Sequence, residues 1–130
     1  MDSIGNMFTT IRNAVVLKKS EVNVPHSTLK EAIVKVLKNK KVIIDYEVKN
    51  DKNNKKTLNI KLKYLSSGSS KVSVISGIDR VSKPGLRVTS GYKKLPKLYG
   101  FSIVSTSKGV VSSDEAKKMK LGGEILGHIW

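Results

Sequence analysis

A chain of 130 residues with 38% hydrophobic residues is long enough for one ordinary domain, or two very small ones sharing an interface, around a real core. Its 25 basic residues against 10 acidic ones give a net charge of +15, which points first to nucleic acid and second to an anionic membrane surface as partner. The absence of cysteine excludes disulfides and thiolate metal sites, and no apolar run approaches the ~18 residues of a membrane span.

The cysteine-free composition suits a reducing compartment. Met1-Asp2-Ser3-Ile4-Gly5-Asn6 lacks the basic-then-apolar pattern of a targeting peptide. Arginine occurs only as Arg12, Arg80 and Arg87. Runs such as Lys38-Asn39-Lys40-Lys41 are what an A- and T-rich genome produces, but that bias does not explain the shortage of acids.

Ile4, Met7, Phe8, Ile11 and Val15 recur at helical spacing and predict a first amphipathic helix, with Asp2 or Ser3 as N-cap. Glu21-Val22-Asn23-Val24 alternates and stops at Pro25, the pattern of a short edge strand. Thr28-Leu29-Lys30-Glu31 has capping-box spacing and opens a second helix, with Leu29, Ile33, Val36 and Leu37 on its buried face. Val42-Ile43-Ile44 and Tyr46 lead to a polar turn at 50–56 and a return strand through Leu58, Ile60, Leu62 and Tyr64.

The fold class expected is α+β: an N-terminal α-β-α-β-β unit over residues 1–65, a linker at 66–70, and a mostly β C-terminal domain with a short helix over 71–130. The linker is Ser66-Ser67-Gly68-Ser69-Ser70, for which a long hairpin loop is the alternative. Strands are predicted at 71–78, 86–89, 101–106, 109–112 and 123–129. Pro84-Gly85 marks a turn, and Pro96 sits in a short turn or helical segment at 94–99. Ser112-x-x-Glu115 is a second capping box, opening a helix that Gly122 would close.

Catalytic patterns are thin. Ser105-Thr106-Ser107-Lys108 fits the S-x-x-K of serine acyl-enzymes, but the partner motifs Ser-Asp-Asn and Lys-Thr-Gly are absent and the chain is too short for those enzymes. His26 and His128 have no second ligand at metal spacing, and there is no phosphate-cradling glycine loop. The same residues suit RNA better. Three hydroxyls followed by Lys108 and Gly109 at the end of an apolar strand can donate to and accept from ribose, bases and phosphates, and the glycine admits close approach. Arg80 and Arg87 flank the Pro84-Gly85 turn, with Lys83 beside it, in a chain that otherwise uses lysine; Arg12 lies beside Asn13 on the first helix. Glu124, next to Gly122-Gly123, is the one acid in a strongly basic C-terminal half that looks deliberately placed, with no second carboxylate at acid/base spacing.

Three stretches, Val104-Ser105-Thr106-Ser107-Lys108-Gly109-Val110, Arg80–Arg87 and Leu121-Gly122-Gly123-Glu124-Ile125-Leu126, resemble the bacterial-type ribosomal protein S eight family. Ile11-Arg12-Asn13-Ala14 and Val24-Pro25-x-Ser27-x-Leu29-Lys30-Glu31-Ala32-Ile33 are similar to the same family, so the resemblance covers nearly the whole chain in order. It implies a structural constituent of the small ribosomal subunit that binds the central domain of small-subunit rRNA and supports assembly and translation. No catalysis, cofactor, metal, membrane or small-molecule substrate is implied.

By the resemblance, Ser105, Thr106, Ser107, Lys108 and Gly109, with Gly122, Gly123 and Glu124, form the main RNA contact. Arg80, Lys83, Gly85 and Arg87 add to it, while Arg12, Asn13, Ser27 and Lys30 match an N-terminal contact. Neighbouring small-subunit proteins are expected partners. Some members repress translation of their own mRNA, so a repressor and a general basic RNA chaperone stay as alternatives. Thr10, Thr28 and Thr89 replace residues common in the family, with Tyr92 a possible stand-in at the last, and Gly127-His128-Ile129-Trp130 is an unusual ending. The compartment is a ribosome of the bacterial cytoplasm or of a mitochondrion or plastid.

Overall fold

A computed structural model describes residues 3–67, 70–80 and 100–130. The expected Asp2 cap, the Pro84-Gly85 turn, the strand at 86–89 and the segment at 94–99 lie outside the described residues. So do Lys83, Gly85, Arg87, Thr89 and Tyr92.

Helix α1 (Ser3–Val16) buries Ile4, Met7, Phe8, Ile11 and Ala14, the predicted stripe with Ala14 added and Val15 half-buried beside it. Strand β1 (Glu21–Pro25) includes the proline and lies at the sheet edge, where a residue without an N–H is tolerated. Helix α2 (Thr28–Asn39) starts differently from the expectation. Its N-cap is Ser27, whose hydroxyl accepts from the Lys30 amide at 3.1 Å, and Thr28 is the first helical residue. Glu31 therefore closes no capping box and takes His26 instead, at 2.7 Å. The buried stripe is Lys30, Ile33, Val34 and Leu37, spaced i, i+3, i+4, i+7, with Val36 alongside; Leu29 falls off its edge and is exposed.

Strand β2 (Ile43–Asn50) pairs with the central strand β3 (Lys56–Leu62), which pairs with β1. Between them the Asp51 carboxylate accepts from the Asn53 and Lys55 amides, and Asn54 adopts φ 59°, so the Asn/Asp-rich stretch is a turn by its own chemistry. Leu58, Ile60 and Leu62 face the core as expected. Lys38 ion-pairs with Asp45 at 2.8 Å, tying α2 to β2; hydrogen bonding to the ammonium holds the Asp45 carboxyl below its usual range.

The return strand does not continue to Tyr64. It stops at Leu62, and Tyr64 begins β4 (Tyr64–Ser67), which pairs with β5 (Ser70–Ser73) through Leu65↔Val72 and Ser67↔Ser70. The flanks of the serine run thus pair as a hairpin. The single strand expected at 71–78 is two, β5 and β6 (Ile78–Arg80). The break is set by the chain end: the Trp130 carbonyl accepts from the Ser76 and Gly77 amides, and the Trp130 ring occupies the place of a Gly77 side chain.

Strands β7 (Phe101–Thr106), β8 (Gly109–Ser112) and β9 (Glu124–Ile129) fall where predicted and join β6 in the order β6-β9-β7-β8. Helix α3 (Ser113–Met119) is capped by Ser112, which accepts from the Glu115 amide. Its C-terminus departs from the expectation. Lys120, not Gly122, takes the left-handed cap (φ 58°), and the Leu121 amide reaches back to the Ala116 carbonyl at 2.9 Å in a Schellman-type closure. The α+β class holds, and the core runs from Phe8 and Ile11 of α1 through Ile60 of β3 to Ile103 and Ile129 of the C-terminal sheet.

Candidate nucleic-acid interface

The end of β7 is where the predicted residues converge. A small second cluster of Val104, Ala116 and Ile125, with Val111 against it, packs α3 onto this end of the sheet. Ser105 and Thr106 immediately follow that cluster, so the polar loop stands on a stiff support. Ser107 and Lys108 form the tip of the β7–β8 hairpin, bracketed by the pair Thr106↔Gly109. Gly109 has φ 115°, a conformation a side chain would strain.

The three hydroxyls are not equivalent. Thr106 Oγ1 donates to the Gly109 carbonyl at 2.7 Å and accepts from the Lys108 amide at 3.2 Å, so it closes the turn. Ser105 and Ser107 make no hydrogen bond through their side chains among the described residues, and both are at least partly exposed. Lys108 is exposed with no carboxylate partner there. Ser105 and Lys108 share no hydrogen bond among the described residues.

Gly123 lies directly behind the loop. A Cβ there would sit 2.1 Å from the Ser105 carbonyl oxygen, so only glycine allows this approach. Glu124 pairs with Ser105 across β9 and β7, bringing Gly122, Gly123 and Glu124 beside the hydroxyls. Between Ile103 and Val104 the β7–β9 pairing slips by one residue at Leu126, a bulge that re-aims the start of β9. Arg80 Nη1 donates to the Leu126 carbonyl at 2.6 Å, so this arginine braces the bulge.

The N-terminal set is more dispersed. Arg12 donates to the Ile78 carbonyl and to Asp79 Oδ1 at 2.8 Å, tying α1 to β6, and Asn13 is exposed next to it. Thr10 spends its hydroxyl on the Asn6 carbonyl within α1. Ser27 caps α2, and Lys30 is 6% exposed with its ammonium 3.2 Å from the Pro25 carbonyl. Ser27 and Lys30 therefore sit together at the start of α2, with no described hydrogen bond joining them to the β7–β8 loop.

Lys120 was not singled out by sequence. It is exposed, held left-handed by the helix closure, and immediately precedes Leu121-Gly122-Gly123. The signal available was its place between a helix stop and a glycine pair. On the other side of α3, a cavity of about 350 Å³ is lined by Lys40, Asp114, Glu115 and Lys118, among others. Lys40 pairs with Asp114 and lies 5.2 Å from the Phe101 ring centroid, so this is a charged seam between α2 and the C-terminal sheet. Among the described residues, no cluster of His, Cys, Asp and Glu could hold a metal, and no helix is long and apolar enough to cross a membrane.

The family model for ribosomal protein S8 matches residues 2–130. Small ribosomal subunit protein uS8 of Persephonella marina is 46% identical over 99% of this chain and 98% of its own. The uS8 of Metamycoplasma arthritidis is 43% identical over 100% of this chain and 97% of its own. Small ribosomal subunit protein uS8c of Phaeodactylum tricornutum is 46% identical, with coverages of 99% and 98%. With the Ser-Thr-Ser hairpin and its Gly-Gly-Glu backing in place, and the match running the length of the chain, this protein belongs to the ribosomal protein S8 family.

Proposed function

We propose that this chain is a non-enzymatic structural constituent of the small subunit of a bacterial-type ribosome, in the bacterial cytoplasm or in an organelle. It binds the central domain of small-subunit rRNA directly and supports subunit assembly. In this reading residues 71–130 carry the main RNA contact and residues 1–65 a second, with 66–70 joining them. The observation that carries it is the pair of unengaged hydroxyls, Ser105 and Ser107, on a hairpin fixed from behind by Gly123.

The charge of +15 supplies attraction to any RNA by counterion release, and the fixed hydroxyls supply discrimination for one shaped site. Lys108 at the hairpin tip and Lys120 just before Leu121-Gly122-Gly123 are exposed and suit phosphates. Arg80 serves by bracing β9, and Arg12 by holding α1 on β6. Lys83, Gly85 and Arg87 belong to the same contact by the family resemblance.

The test is co-sedimentation of the full chain with small subunits, with chemical footprinting of the rRNA. Protection of one irregular helix in the central domain is the expected result. Binding to all RNAs alike at physiological salt would instead make this a general basic chaperone.

A further inference from the structure

The turn between α1 and β1 carries a second basic feature that shares no residue with the β7–β8 site. A groove of about 380 Å³ lies between this turn and the β4–β5 hairpin; Lys18, Lys61, Lys71, Ser20 and Ser66 line it together with Glu21, Tyr64 and the apolar Ile44 and Leu62. Its walls are fixed. Tyr64 donates from its hydroxyl to the Lys19 carbonyl at 2.6 Å, and the Leu62 amide donates to the Ser20 carbonyl at 2.9 Å. Lys18 adopts φ 55°, which turns the chain at the groove's edge.

The groove's chemistry is that of a polyanion site. Lys18 and Lys71 are exposed and have no carboxylate partner among the described residues, and Lys61 reaches Glu47 only at 3.4 Å. Three lysines thus line the groove with one carboxylate, Glu21, and Lys61 is also ion-paired to Glu47 outside it. Two serines add hydroxyls that can bond to ribose or phosphate oxygens. The hairpin presents opposite characters on its two faces. Ser66 and Lys71 form a cross-strand pair on the groove side, whereas the exposed pair Leu65 and Val72 alternates to the other face. Leu65 and Val72 offer an apolar face, whereas the groove side sets cations and hydroxyls around the exposed Ile44.

We infer that this groove holds the sugar-phosphate backbone of a second RNA segment, separate from the helix read by the β7–β8 loop. The inference rests on the rRNA-binding reading above. Nothing in the groove is shaped to read bases, so its contribution is sequence-independent and strongly salt-sensitive.

The experiment compares Lys18→Gln/Lys61→Gln/Lys71→Gln with an equal charge removal at the β2–β3 hairpin, Lys49→Gln/Lys52→Gln/Lys55→Gln. Each full-length protein is titrated over a salt series against whole small-subunit rRNA and against the isolated helix protected in footprinting. Lys18→Gln/Lys71→Gln, which changes only exposed residues, replaces the triple if the triple fails to fold. The groove triple is expected to lose two to three units of log–log salt slope on whole rRNA, at about 0.9 unit per phosphate. On the isolated helix it is expected to match the control.

Equal slopes for the groove and control variants on whole rRNA would overturn the inference, because charge alone would then account for the effect. So would a comparable extra loss on the isolated helix, which would place the groove on the same RNA segment. Unchanged whole-rRNA binding, with a crosslink from Cys-substituted Ser66 to a neighbouring protein in assembled subunits, would overturn it in favour of a protein occupant. Loss of wild-type binding to the isolated helix would count against the β7–β8 reading, whereas the groove is judged on whole rRNA against its control.

Discussion

At Gly123 a single methyl group would stand 2.1 Å from the Ser105 carbonyl oxygen, with backbone on both sides of the clash and no flexible side chain to yield. Gly123→Ala is therefore expected to push β9 from β7 and cost ~1–3 kcal/mol in urea unfolding, the usual range for overpacking. RNA affinity should fall with it, since the hydroxyls lose their backing. Thr106 makes a contrasting case. Its hydroxyl is used twice inside the turn, so Thr106→Val is expected to cost ~1–2 kcal/mol of stability, while Thr106→Ser, which keeps the hydroxyl, costs less. By residue type, Ser105, Thr106 and Ser107 looked interchangeable in the sequence. Only the hairpin separates the one that closes the turn from the two whose hydroxyls make no bond among the described residues.

Much of the secondary structure was legible because local chemistry and burial agree. The α1 stripe, the Asp51 turn and the Ser112 cap each follow from spacing that tertiary contacts reinforce. The misplacements have tertiary causes. At α2 the cap is Ser27, and Glu31 bonds His26, a partner that spacing alone does not announce. The break between β5 and β6 is imposed by Trp130, more than fifty residues later in the chain. At α3 the expected Gly122 cap is displaced by Lys120, and Gly123 comes against the Ser105 strand. Lys120→Gly should accordingly stabilise the protein, by about 1 kcal/mol, because glycine takes the left-handed cap without a Cβ penalty. A destabilised variant in thermal or urea unfolding would contradict that cap assignment.

Across the whole molecule, one apolar cluster joins the N-terminal helices and sheet to the C-terminal sheet. Phe8 is 0% exposed and packs against Gly127 of β9, where a Cβ would meet its ring at 2.3 Å. Phe8→Ala is expected to cost ~3–5 kcal/mol, in the range of a buried aromatic truncation. Trp130 fluorescence and far-ultraviolet circular dichroism should lose their signals at the same denaturant concentration. Two separate midpoints would mean that the halves unfold independently. The same continuity ties the proposed RNA site to residues far from it: Arg12 holds α1 on β6, and Arg80 of β6 braces the bulge beside the Glu124–Ser105 pair. The charge of +15 acts on top of this frame as a general attraction, which any polyanion can satisfy.

In the rRNA-binding reading proposed above, recognition, as distinct from attraction, falls to Ser105 and Ser107. The direct measurement is the affinity of Ser105→Ala/Ser107→Ala for the protected rRNA helix and for a random duplex, at one salt concentration. Loss of ~1–2 kcal/mol per hydroxyl on the specific helix, with little change on the random duplex, is the expected result. Equal losses on both RNAs, or none on either, would contradict a recognition site at the β7–β8 hairpin.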